Sequence, residues 1–109
     1  MQELRLLHLQ GPRRGAVDCV QLHSGGTALI GRSELAVVAF ADDTPRTVSR
    51  RHALLWLASD SPLSWHLFDL ASTAGTRVNG QPVQMRVLTH GDEIMLGADG
   101  PLLRVELPH

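Results

Sequence analysis

Apolar side chains in this chain come in short runs, and breakers cut each run before it reaches helical length. The segments between breakers are ELRLLHL (3–9), AVDCVQLH (16–23), TALIG (27–31), AVVAF (36–40), HALLWLA (52–58), SWHLFDL (64–70), TRVN (76–79), QPVQ (81–84), EIMLG (93–97) and LLRVEL (102–107). None holds a helical stripe of roughly 11 residues or more. Most are rich in Val, Ile, Leu or Trp, and they alternate with dense turn signals. That pattern predicts an all-β chain, an antiparallel sandwich or barrel. Gly and Pro number 10 and 6 and are scattered, and no stretch reads as an interdomain linker. The best-marked turn is Val78-Asn79-Gly80-Gln81, where Asn-Gly between two runs predicts a type I′ hairpin whose central residues only turn the chain. His90-Gly91-Asp92 and Ala98-Asp99-Gly100-Pro101 predict tight turns on either side of EIMLG.

Length and charge narrow the class. A chain of 109 residues is expected to be one domain, 1–109, able to bury roughly two-thirds of its unfolded surface without a disulfide or metal. Cys19 has no second cysteine to pair with, which fits a reducing, cytoplasmic location; its expected role is a small buried apolar side chain. No apolar run approaches the roughly 18 residues of a membrane span. MQELRLLHLQ lacks a basic start and a cleavage site, so it does not read as a signal peptide. The net charge of −1 argues against nucleic acid and anionic membrane as partners. All ten basic residues are Arg. Arg reads phosphate and carboxylate with two parallel hydrogen bonds, although a coding bias toward Arg, Ala and Leu is the simpler account.

The stretch TVSRRHALLWL (47–57) packs a hydroxyl, two guanidiniums and an imidazole ahead of an apolar run. Ser49 and His52 lie three apart at a loop-to-strand boundary. In an extended chain they point to opposite faces, so a nucleophile–base pair needs a turn to form. No G-x-S-x-G elbow is present, and nothing ties the carboxylates Asp69 or Asp92 to the pair. The six His form no H-x-H or H-x-x-x-H pair, so zinc has no support. His52 is expected to share a strand face with Leu54 and Trp56, as a hydrogen-bonded core residue. Anion binding has better parts: Gly31-Arg32 after TALI, Ser49-Arg50 at a loop end, and the hydroxyl-rich loop Ser72-Thr73-Ala74-Gly75-Thr76. Each alone also suits an ordinary solvated turn.

Taken in order, these pieces resemble the forkhead-associated (FHA) domain. The family pattern runs G-R, then S-x-x-H, then D-L-x-S-x-N-G-T-x-V-N-G, then L-x-x-G-D-x-I-x-L-G. Here it reads Gly31-Arg32, Ser49 to His52, Asp69 to Gly80, and Leu88 to Gly97. The motif-bearing region is about 27–107. The resemblance implies a β-sandwich of about eleven strands in two mostly antiparallel sheets, with binding loops at one end. It implies a phosphothreonine-dependent protein–protein interaction module. The partner would be a threonine-phosphorylated substrate of a Ser/Thr kinase. There would be no catalytic residue, cofactor, metal or small-molecule substrate. By position, Arg32, Ser49, Arg50 and Thr73 would bind the phosphopeptide. Gly31, His52, Gly75 and Asn79 would support the site, with His52 bracing the loop that presents Ser49. Arg51 would be solvated.

The chain departs from the pattern at Ala74, where the family usually has an Asn that bonds the peptide backbone. Losing that bond should cost about ten-fold in affinity. The departure also leaves an alternative reading, an FHA-fold scaffold in an assembly or secretion complex that binds without phosphate. Asp42-Asp43 in the loop before Ser49 would either repel a phosphate or favour basic residues flanking it.

Overall fold

Along residues 2–8 the buried positions are Leu4, Leu6 and His8, while Arg5 is exposed. That period of two is what a half-buried strand requires. The same alternation recurs through Ala53, Leu55 and Leu57, through Trp65 and Leu67, and through Leu103 and Val105. In the computed structural model, which describes residues 1–41 and 47–108, eleven strands form. They are β1 (Gln2–Gln10), β2 (Val17–Leu22), β3 (Thr27–Gly31), β4 (Val38–Ala39), β5 (Ala53–Asp60), β6 (Leu63–Asp69), β7 (Thr76–Val78), β8 (Gln81–Pro82), β9 (Met85–Leu88), β10 (Glu93–Leu96) and β11 (Leu102–Glu106).

The strands make two sheets, β2-β1-β11-β10-β7-β8 and β4-β3-β5-β6-β9. Every pairing is antiparallel except β3 with β4. The inward side chains of both sheets join in one core that includes Leu6, Ile30, Leu55, Trp65, Leu67, Ile94 and Leu103. The expected all-β, two-sheet, mostly antiparallel sandwich is the observed fold. The order of pairing sends the β3–β4, β4–β5 and β6–β7 connections to one end, joined there by the β1–β2 and β10–β11 turns.

A polar cluster closes the core at that end. Buried His8 meets Asp18 Oδ2 through Nε2 at 2.7 Å. Arg13 donates to both Asp18 oxygens, at 2.8 and 2.9 Å, and to the Ala39 carbonyl at 3.1 Å. Arg13 therefore ties the β1–β2 turn of one sheet to β4 of the other. Burial raises the Asp18 pKa, but the Arg13 and His8 bonds outweigh it and hold the carboxyl below its ordinary value.

Several local expectations change. The chain after QPVQ adds a strand, β9, that the pattern left unassigned. It is an edge strand whose Met85 and Val87 are exposed, so it lacks the usual polar alternation. AVVAF contributes only the two residues of β4; Val37 and Phe40 still donate backbone bonds to Leu29 and Gly31 alongside it. Cys19 is exposed, not buried, because the β1–β2 register puts it opposite Arg5 and turns Val20 inward. Its thiol donates to Glu3 Oε1 at 2.8 Å.

Asn79 and Gly80 do form a left-handed pair, with φ of 52° and 81°, as a type I′ turn requires. Asn79 does more than turn the chain, however. Its amide Nδ2 donates to Asp92 Oδ1 at 3.0 Å, and its Oδ1 accepts from Glu93 N–H at 3.0 Å. Asp92 also accepts from the Thr89 N–H at 2.8 Å, so the β7–β8 hairpin is clamped to the turn before β10. An Asn79→Gly variant keeps the turn geometry and deletes only the amide. It should lose about 1–2 kcal/mol of stability in chemical denaturation; a neutral outcome would reduce Asn79 to a turn residue.

Candidate functional site

The three loops at this end of the sandwich meet at Ser49. The β3–β4 loop enters through Arg32, whose N–H donates to the Ser49 carbonyl at 3.2 Å. Next to it the Ser33 N–H donates to the Arg50 carbonyl at 2.9 Å. The β6–β7 loop enters through Thr73, whose N–H donates to Ser49 Oγ at 3.1 Å. The Arg32 side chain bends over the same segment, with Nε donating to the Val48 carbonyl at 2.5 Å. Arg32 and Ser49 are partly buried, while Arg50, Arg51 and Thr73 are exposed. Thus Arg32, Ser49, Arg50 and Thr73, separated by up to 41 positions of sequence, gather on adjoining loops.

Gly31 makes this convergence possible. A Cβ there would sit 2.1 Å from the Arg50 carbonyl oxygen and 2.9 Å from that of Ser49. No side chain fits, so only glycine lets β3 lie this close to the Ser49–Arg50 backbone. Gly75 serves a different need. Its φ is +83° and nothing crowds it, so it supplies a left-handed turn that places its carbonyl between two donors.

His52 lies just ahead of β5 and points away from Leu54 and Trp56. Those two face outward, while Ala53, Leu55 and Leu57 face the core. The expected shared strand face fails because the strand begins only at Ala53. The ring, fully buried, turns instead into the loops. Its Nδ1 accepts from the Ser49 N–H at 3.0 Å and its Nε2 donates to the Gly75 carbonyl at 2.9 Å. That carbonyl also accepts from the Gly97 N–H at 2.8 Å, which adds the β10–β11 turn to the assembly. Both ring nitrogens are engaged by backbone, so the imidazole cannot serve as a base for the Ser49 hydroxyl.

Burial holds the His52 pKa below the ordinary 6.5, against the opposing Gly75 bond and the Asp69 charge. The neutral tautomer with hydrogen on Nε2 is the one this geometry needs.

Asp69 organises the third loop and went unassigned in the sequence. Its carboxylate accepts from the Ser72 N–H at 3.2 Å, from the Ser72 hydroxyl, and from the Thr76 hydroxyl at 2.8 Å. Ala71 inside the clamp has a left-handed φ of 54°. The readable signal was Asp followed three residues later by Ser, the mark of a side-chain-closed turn. Asn79 lies outside the loop cluster, on the β7–β8 hairpin, and contacts Asp92 and Glu93 instead. Ala74 is exposed near Gly97. Asp42 and Asp43 lie outside the described residues. Among the described residues, no group of His, Cys, Asp and Glu could hold a metal ion.

Comparison with known proteins follows the same outline. The family model of the FHA domain matches residues 28–97, more than half of the chain. A solved structure from a study of phosphothreonine-dependent FHA domain interactions superposes with a TM-score of 0.77 at 33% identity, covering 98% of both chains. The FhaA FHA domain, in complex with the intracellular domain of Rv3910, gives 0.74 at 34% identity, covering 94% of this chain and 99% of that one. The glycogen accumulation regulator GarA of Mycobacterium tuberculosis is 43% identical over 58 residues, 53% of this chain and 33% of the relative. The chain thus spans about a third of the length of that curated relative.

Two outcomes test the scaffold of the site. Gly31→Ala should separate the β3–β4 and β4–β5 loops, with loss of the amide chemical shifts of Arg32, Ser49 and Thr73 while the β1–β11 resonances stay in place. For His52 the folded pKa is depressed, so at pH well above 6.5 both folded and unfolded states are neutral and there is no penalty. As pH falls through 6.5 the unfolded chain takes up a proton first, and stability drops until the folded pKa is reached. Thermal midpoints measured from pH 7.5 down to 5 should therefore fall more steeply for the native chain than for His52→Gln; parallel slopes would remove His52 from the account.

Proposed function

The chain belongs to the FHA domain family, and from that membership we propose that it is a phosphothreonine-dependent interaction module. It binds a protein that a Ser/Thr kinase has phosphorylated on threonine, and it catalyses nothing. One continuous core under both sheets supports reading 1–109 as a single domain. We place it in the cytoplasm, where such kinase substrates are found and where a lone exposed thiol stays reduced.

The observation that carries the reading is the position of Ser49 as the meeting point of three loops. A hydroxyl oxygen that accepts from the Thr73 N–H still has its own proton to donate. In the proposed complex that proton goes to a phosphate oxygen. The Arg32 guanidinium, anchored by Nε on the Val48 carbonyl, supplies a charge-assisted contact, and exposed Arg50 supplies a second. Thr73 borders the methyl of the phosphothreonine. Gly31, His52 and Gly75 set the loop geometry, and Asn79 acts at one remove by fixing the hairpin that follows. Phosphothreonine carries about −1.5 to −2 charges and three acceptor oxygens. Each charge-assisted bond contributes about 1.5–3 kcal/mol, so two or three make binding depend on phosphorylation.

Ala74 favours a modest affinity, since its methyl cannot bond a peptide backbone. It is also the one observation in favour of phosphate-independent scaffolding, and a single titration separates the readings. A degenerate phosphothreonine peptide library should bind, and its unphosphorylated twin should not. The phosphoserine twin should bind about ten-fold more weakly, for want of one methyl contact. Arg32→Ala and Ser49→Ala should each weaken phosphopeptide binding by about 10–100-fold. Equal binding of the phosphorylated and unphosphorylated libraries, indifferent to Arg32→Ala, would establish the scaffold instead.

A further inference from the structure

Beyond Thr47, the Ser49 end of the sandwich opens into a cavity of about 220 Å³. It lies where the β1–β2 turn, the β10–β11 turn and the segment before Ser49 come together. Pro12 and Pro101 give it apolar walls, and Gln10, Thr47 and Asp99 supply its polar lining. Close approaches fix these walls. A Cβ on Gly11 would lie 3.0 Å from Pro101 Cβ, so the two turns touch there. A Cβ on Gly100 would lie 1.7 Å from the Leu96 carbonyl oxygen, a distance no side chain tolerates. The Leu96 N–H donates to the Pro101 carbonyl at 3.0 Å and closes the β10–β11 turn. The cavity is therefore in place before any ligand arrives.

The cavity adjoins the proposed phosphate site. Thr47 lines it and precedes Ser49 by two residues, at most about 7 Å along the chain. Gly97 sits between Thr47 and Ala74: a Cβ there would lie 3.0 Å from Thr47 Cβ and 3.2 Å from Ala74 Cβ. The surface thus runs without a break from the Thr73–Ala74 loop to the cavity. A peptide leaving the phosphate in extended form, at about 3.3 Å per residue, reaches it within roughly two to four residues. The volume suits one side chain, since pockets for small molecules run to about 300–1,000 Å³.

We propose that this cavity holds a Lys or Arg side chain of the phosphopeptide, roughly two to four residues from the phosphothreonine, and that Asp99 selects it. The proposal rests on the phosphothreonine reading above. Asp99 is exposed and, among the described residues, no cation pairs with it. Nor does it accept a bond within its own turn, as Asp69 and Asp92 do. Its charge is thus open to a ligand. The two prolines suit the apolar stem of a long basic side chain, whose charged head stays near water. Exposed Gln10 offers an amide oxygen as a second acceptor for that head. An acidic side chain in the cavity would meet a like charge, and an aliphatic one would leave the carboxylate without a partner.

The test is a peptide library with a fixed phosphothreonine and degenerate flanks, bound to the 109-residue chain and read by sequencing the retained fraction. Lys and Arg should be enriched at one position, roughly two to four residues from the phosphothreonine and on one side of it only. Replacing that Lys by Ala in a single peptide should weaken binding about two- to five-fold, the range of one exposed ion pair. The difference should shrink in high salt. Asp99→Asn should abolish the basic preference, and Asp99→Lys should turn it toward Glu. Asp60→Asn, at the far end of β5, should leave it as it is. Phosphopeptide binding without a basic preference, or with one that survives Asp99→Asn, would overturn this proposal and leave the phosphothreonine reading standing. If the phosphorylated library binds no better than its unphosphorylated twin, both fall. The library result stands on the native chain even if a variant misfolds.

Discussion

The binding end of this domain depends on one buried imidazole whose two ring nitrogens each hold a different loop. His52 accepts from the Ser49 N–H and donates to the Gly75 carbonyl, and the Gly97 N–H shares that carbonyl. Removing the ring would leave the Ser49 N–H without its partner, at a cost of about 1–3 kcal/mol, and would leave the Gly75 carbonyl to the Gly97 N–H alone. Backbone bonds from Arg32 and Ser33 to Ser49 and Arg50 join two of the loops, and the side-chain bridge of His52 adds the third. The sheets provide the distance: β3 and β5 pair, and Gly31 lets the Arg50 carbonyl approach where any Cβ would collide.

The same logic repeats around the rim. Asp69 closes the β6–β7 loop on itself, Asp92 and Asn79 close the β7–β8 hairpin against the turn before β10, and Arg13 with Asp18 and His8 closes the β1–β2 turn. Each carboxylate is satisfied by several donors at once. Such buried or half-buried networks are costly when incomplete and rigid when complete. A rigid rim suits a reader of small chemical groups, because a loop already in place loses little entropy when ligand arrives.

Much of this was legible in the chain before any coordinates. Breakers and short apolar runs gave the all-β class, and Asn79-Gly80 gave its hairpin. The ordered motifs brought Arg32, Ser49 and Thr73 to one end. What escaped was whatever depends on which way a residue faces. Cys19 and Val20 are neighbours with opposite fates, decided by the register against β1. His52 looked like the first outward residue of β5, but a strand beginning one residue later left its ring to the loops. β9 was invisible because Met85 and Val87 are apolar where an edge strand is usually polar. Asp69 and Asp92 read as unattached carboxylates because their partners are backbone N–H groups and hydroxyls, which a sequence does not display.

The opening cluster of hydroxyl, guanidiniums and imidazole now separates into two kinds of work. His52 can hold the loops only while Nδ1 is an acceptor, that is, while the ring is neutral, and burial favours that form. A cation at His52 would break the bond to the Ser49 N–H that presents the hydroxyl. The positive charge for an anion must therefore come from a group that never gives up its proton, and arginine is that group. In the proposed complex Arg32 meets the demand, from a partly buried position with its Nε on a backbone carbonyl. Charge and geometry are thus assigned to different side chains, so pH acts on the loops through His52 and leaves the Arg charge untouched. Exchanging the two residue types would fail at both positions, since an imidazole at 32 loses its charge near neutrality and a guanidinium at 52 offers no acceptor.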